Sequence, residues 1–256
     1  MSLSLGSGPL TRDPAGAFNF DLDGAAPAHR IYFADFLPRV RATIGDRTVL
    51  DTTRAKLLYE SGIAPRLYAP LEDYAADVLE RTGHTTHCPF KGDASYWTVA
   101  GRENALWGYE RPIQEAAWLA GHAALYPDSI DAWFVEEERA VGHLRDPFHR
   151  IDVHPSSRRV RILHGDEVIA DSDRAVLLFE TGVPPRAYIA RRDIRASIEP
   201  SETRTVCAYK GEARHWTVAG VQDAAWSYEY PRPEAFGIAG LLAFHPDRVV
   251  VEIASS

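Results

Sequence analysis

Lys91-Gly92-Asp93-Ala94-Ser95-Tyr96-Trp97-Thr98-Val99-Ala100-Gly101 returns 119 residues later as Lys210-Gly211-Glu212-Ala213-Arg214-His215-Trp216-Thr217-Val218-Ala219-Gly220. A match of this length at a fixed spacing marks an internal duplication, and it extends in both directions. Downstream, Ala105, Trp107, Tyr109-Glu110 and Pro112 match Ala224, Trp226, Tyr228-Glu229 and Pro231. Upstream the spacing becomes 120: His29-Arg30-Ile31 answers His149-Arg150-Ile151, and Glu60, Arg66 and Tyr68 answer Glu180, Arg186 and Tyr188. About two residues in five agree over about 105 positions. The period is far too long for a solenoid unit, so each copy is expected to own a core. The boundaries read from the repeat are a flexible N-terminal arm over 1–28, a first repeat domain over 29–136, a linker over 137–147 and a second repeat domain over 148–256.

Local signals point to β structure in each copy. Val40–Ile44, the Gly45-Asp46 turn and residues 48–50 read as a hairpin, repeated around Gly165-Asp166. Tyr96-Trp97-Thr98-Val99 is aromatic and β-branched strand material, as is the stretch 248–253. Helical periodicity is brief, with two turns predicted over 73–81 and one or two over 113–120 and 234–238. The fold class expected is mainly β: two tandem copies of a small antiparallel, β-tent-like or barrel-like domain with short helical connections.

A formal net charge of −8 argues against nucleic acid or an anionic membrane surface as the main partner, since both call for a basic face. No apolar run approaches the length of a membrane span. Two cysteines, Cys88 and Cys207, are too few for a disulfide framework, and a cytoplasmic, reducing compartment is expected. Histidine spacing shows no H-x-x-x-H or H-E-x-x-H pattern, so no metal site is expected.

Thr86-x-Cys88-Pro89-Phe90-Lys91-Gly92-x-Ala94-x-Tyr96-Trp97 resembles the signature of the domain of unknown function 427 family, which also carries a nucleotidyltransferase label. The second copy, from Thr205 to Trp216, departs from it at Ala208 and His215. The resemblance covers about 105 residues of each copy. It implies a fold similar to the β-tent group, whose members often hold a structural zinc with paired cysteines. One cysteine per copy cannot build that site from thiolates.

The recurring polar and aromatic residues supply the candidate chemistry. Cys88 and Cys207 stand three residues before Lys91 and Lys210, and a nearby cation favours a reactive thiolate; a small buried hydrophobe is the alternative. Arg54 and Arg174 offer guanidinium forks for carboxylates or phosphates, or salt bridges to Asp51/Asp171 or Glu60/Glu180. Trp97, Trp107 and Tyr109, with Trp216, Trp226 and Tyr228, are candidate walls of an aromatic pocket, or core. The leading expectation is a binding module with one pocket per repeat for a small anionic or aromatic ligand. It would use Arg54, Lys91, Trp97, Trp107 and Tyr109 in the first copy and Arg174, Lys210, Trp216, Trp226 and Tyr228 in the second. The alternatives are an enzyme using the cysteines or transferring nucleotides, and a protein-interaction scaffold. Neither a cofactor nor an oligomeric state is legible.

Overall fold

The computed structural model describes residues 3–6, 8–12 and 29–255. The chain divides into two compact units, residues 2–144 and 145–256. Both are mainly β, and each is one copy of the repeat.

The first unit contains β1 (Ile31–Asp35), β2 (Val40–Ile44), β3 (Arg47–Thr52), β4 (Lys56–Glu60), β5 (Ile63–Pro70), β6 (Leu79–Cys88), β7 (Gly92–Val99), β8 (Arg102–Pro112), β9 (His122–Leu125), β10 (Ala132–Val135) and β11 (Glu138–Arg139). Seven of them form one sheet in the order β1-β4-β5-β9-β8-β7-β6, and four form a second, β11-β10-β2-β3. The hairpin read around Gly45-Asp46 is β2–β3, with Gly45 at φ +55°.

Alternation along the strands gives the long sheet two apolar faces, since successive side chains point oppositely. Leu57, Leu67, Trp97 and Leu106 face the smaller sheet and pack with Val40, Ala42, Val49 and Leu50. Their neighbours Leu58, Tyr68, Tyr96 and Trp107 form a second cluster with Tyr109 on the other face. That face is covered by the 3-10 segment Gln114–Leu119, which contributes Ala116 and Leu119. Leu119 is fully buried, worth roughly 2 kcal/mol.

The second unit repeats this plan with β12 (Ile151–Pro155), β13 (Val160–His164), β14 (Glu167–Ser172), β15 (Val176–Glu180), β16 (Val183–Tyr188), β17 (Ile198–Cys207), β18 (Gly211–Val218), β19 (Val221–Ser227), β20 (Leu242–Phe244) and β21 (Val250–Ile253). Sheets β12-β15-β16 and β17-β18-β19-β20 are joined through Ile189, whose backbone exchanges two hydrogen bonds with Leu242, so the strand order of the first unit is kept. The third sheet is β14-β13-β21.

The helix predicted over 73–81 does not form. Isolated 3-10 turns occupy Leu71–Asp73 and Ala76–Val78, and β6 has begun by Leu79. Between the turns Tyr74 is extended, bridges Leu50, and donates its hydroxyl to the Ala123 carbonyl at 2.8 Å. Tertiary pairing against β3 outweighs a weak local preference. The predicted turns at 113–120 and 234–238 exist as 3-10 segments Gln114–Leu119 and Pro233–Ile238.

Of the N-terminal segment, Leu3 and Leu10 pack against the first core. Ser4 is buried, donates to the Ile63 carbonyl at 3.1 Å, and its own carbonyl receives the Gly62 amide. The remainder of the expected arm lies outside the described residues. Among the described residues no helix is long and apolar enough to cross a membrane.

Candidate functional site

Three of the polar residues that recur in both copies, a histidine, a glutamate and a lysine, meet on the covered face of the long sheet. Parity places Glu60 there, two residues after Leu58 at the end of β4. Its carboxylate accepts from Lys91 Nζ at 2.5 Å and meets His29 Nε2 at 2.8 Å. In the second copy Glu180 accepts from Lys210 Nζ at 2.6 Å and meets His149 Nε2 at 2.9 Å. In the first unit's sheet order β4 is separated from β7 by β5, β9 and β8. The ion pair between the end of β4 and the lysine preceding β7 therefore requires that sheet to curl on itself, as a twisted sheet does. His29 stacks on Phe90 at 3.9 Å, and His149 packs on Tyr209 at 4.0 Å.

The local sequence explains how the lysine arrives. Cys88 to Lys91 is a tight turn closed by the Lys91 amide on the Cys88 carbonyl at 3.2 Å. Gly92 and Gly211 then adopt φ +102°, which a side chain would strain, and a Cβ on Gly92 would sit 3.3 Å from the Ile113 nitrogen. The glycine of each Lys-Gly pair is thus required by backbone geometry. The turn brings Cys88 to the same face as the tyrosines, where it packs against that cluster; Cys207 does likewise.

Electrostatics bind these groups into one neighbourhood. Burial pushes the Glu180 carboxyl up, yet hydrogen bonds from His149 and Lys210, with their charges, outweigh it and hold the pKa at about 2. Burial drives the Tyr109 hydroxyl far above the usual phenol value, and the nearby Tyr68, Cys88 and Glu60 add to the push. Tyr228 responds in the same way to burial, Tyr188, Cys207 and Glu180. Tyr68 receives the Trp107 indole N–H at 3.2 Å, while among the described residues the Tyr109 hydroxyl has no hydrogen-bond partner.

Of the residues anticipated, Lys91, Cys88, Trp107 and Tyr109 come together, as do Lys210, Cys207, Trp226 and Tyr228. Lys91 and Lys210 are buried on a carboxylate. Their charge is directed at Glu60 and Glu180, which weakens the idea that it serves the thiols.

Trp97 and Trp216 do not join the group. They lie on the opposite face in the main cores, under the guanidinium groups of Arg81 and of Arg191 and Arg214. Arg54 and Arg174 are also elsewhere. Arg54 is ion-paired with Asp73 and Glu72 on the rim of an open cleft of about 570 Å³ that also includes Asp35, Lys56 and His122. Arg174 lies 3.8 Å from Asp193. Neither arginine uses the partners anticipated, because Asp51 and Asp171 pair with Arg39 and Arg159, and Glu60 and Glu180 with the lysines.

His29, His149, Glu60 and Glu180 were not among the anticipated site residues, although all four recur at the repeat spacing. Recurrence of ionisable residues among recurring apolar ones was the available signal. Among the described residues no three His, Cys, Asp or Glu side chains group so as to hold a metal ion.

A family model described as Domain of unknown function (DUF427) matches twice, over residues 34–136 and 152–255. No curated protein matches the chain.

Proposed function

The chain belongs to the DUF427 family, and from that premise we propose that it is a binding module with one small-molecule site in each repeat. The sites lie on the covered faces, at Lys91, Tyr109, Cys88 and Trp107 and at Lys210, Tyr228, Cys207 and Trp226. One observation carries the reading. Beside a buried His–Glu–Lys set, twice over, stands a tyrosine hydroxyl with no partner among the described residues. A donor left unmatched beside a lysine invites an acceptor.

The ligand class that fits has an anionic or carbonyl head and a flat apolar body. The phenol and the lysine N–H groups left over from Glu60 or Glu180 address the head, and Trp107 or Trp226 lies along the body. The setting proposed is the cytoplasm, where the free Cys88 and Cys207 stay reduced.

The test is native mass spectrometry of the purified chain, together with a thermal-shift panel of small carboxylates, phosphates and aromatic acids. The expected result is a stabilising compound whose effect disappears in the Tyr109→Phe, Tyr228→Phe double variant. Absence of any bound mass and of any stabilising compound rejects the reading. An enzyme acting through Cys88 or Cys207 would occupy the same place, and rapid alkylation of either thiol at neutral pH would favour it.

A further inference from the structure

The two copies differ systematically at one point of this face. In the first, the Tyr96 hydroxyl meets Thr86 Oγ1 at 2.8 Å, and the Tyr126 ring lies 4.3 Å from Trp107. In the second, His215 Nε2 meets Thr205 Oγ1 at 2.9 Å, and the His245 ring lies 4.3 Å from Trp226. The two imidazoles stack with centroids 5.6 Å apart and planes 14° apart. A tyrosine pair has been exchanged for a histidine pair with the threonine and tryptophan contacts retained. Non-titrating phenols have thereby become groups that titrate near neutrality.

We propose that His215 and His245 form a pH-responsive latch in the second repeat, which releases the Trp226 wall on mild acidification while the first repeat stays closed. The geometry supplies the mechanism. His215 is buried and its Nδ1 has no hydrogen-bond partner, and Asp223 Oδ1, on the carboxylate whose charge acts on it, is buried and unpaired as well, so a proton added at Nδ1 gains an acceptor only if these groups move. The nearest charges partly oppose one another. Asp223 favours a cation at His215 and Arg204 opposes it; around His245, Asp247 favours one while Arg186, Arg248 and His215 itself oppose it. Two imidazolium rings at stacking distance repel, so a second proton is the harder to add.

Burial, and for His245 also its histidine neighbour, lowers both pKa values below that of a free imidazole. A histidine depressed in the closed state takes its proton first in the open state. Closure is therefore fully favoured above about pH 6.5 and weakens as the pH falls below it. In the first repeat burial pushes Tyr126 up to about 12, so its phenol stays neutral throughout that range, and His84, edge-on to Tyr96 at 4.5 Å, is exposed to solvent.

Two measurements on the full chain test the latch. Imidazole resonances followed from pH 8 to 4.5 by NMR are expected to place both His215 and His245 below free histidine. Hydrogen exchange read by mass spectrometry, corrected for intrinsic rates, is expected to rise in the β17–β20 sheet on acidification. The gain is about tenfold for each pH unit by which the pair lies below free histidine, with no matching rise in β6–β9. In the His215→Tyr, His245→Tyr double variant the rise disappears. Titration of either ring at or above the free value, an equal rise in both repeats, or a rise that persists in the double variant overturns the proposal. Should that variant not fold, the wild-type titration and exchange decide alone.

Discussion

Lys210→Met tests the polar centre of the second repeat most directly. It preserves most of the stem and removes the ammonium 2.6 Å from Glu180 Oε2. The Lys210 and Glu180 side chains are only 10% and 13% exposed, so solvent screening offers little relief. The Glu180 carboxyl is held at about 2 against an ordinary 4.5, a preference of about 3 kcal/mol at ~1.4 kcal/mol per pH unit. A carboxylate depressed in the folded state stabilises it above about pH 4.5 and loses that contribution as the pH falls towards 2.

His149 supplies part of that preference and remains in the variant, but an unpaired buried carboxylate adds its desolvation cost. The expected loss at pH 7 is about 3 kcal/mol, in the range for breaking one side of a buried pair. It should shrink towards about 1 kcal/mol near pH 3, where the variant's carboxyl is neutral. Urea unfolding of the full chain, read peptide by peptide through hydrogen exchange, reports the second repeat separately from the first. Adding Glu180→Gln should recover stability to within about 1 kcal/mol of the wild type, because the stranded charge is gone. A loss below about 1 kcal/mol at pH 7, or a double variant less stable than the single one, would show that Lys210 does not neutralise this carboxylate.

Four further substitutions separate the local arguments. Gly92→Ala should cost about 2 kcal/mol or more in the first repeat, because φ +102° suits no side chain and the Ile113 nitrogen stands 3.3 Å from the new Cβ. Gly45→Ala, at φ +55° with open space around it, should cost about 1 kcal/mol; equal losses in urea titrations would contradict the distinction. Arg54→Ala should change first-repeat stability by less than about 1 kcal/mol, since the guanidinium is largely exposed and Asp73, its more buried partner, keeps the Thr52 hydroxyl; a larger fall in thermal midpoint would mean that the cleft rim is structural. Tyr109→Phe should alter stability by no more than about 0.5 kcal/mol because the hydroxyl lost has no partner; a large loss in urea unfolding would reveal one.

The duplication, the mainly β character and the Gly45 hairpin were all legible in the amino-acid order. Each depends on residues close together in the chain or on a repeated spacing. The histidine, glutamate and lysine that meet in the first repeat are 31 residues apart at each step. Parity can show which face Glu60 occupies, but it cannot show that β4 curls round to reach the turn before β7. The same limitation separated Trp97 from Trp107: alternation put them on opposite faces, and only the placement of the second sheet made one face the main core. Arg54 was matched to the wrong acids because Asp73 approaches it through a turn where a helix was predicted. Periodicity and turn chemistry act over a few bonds and can be read along the chain. Which buried charge meets which is set by sheet order and curvature, and those exist only once the strands have paired.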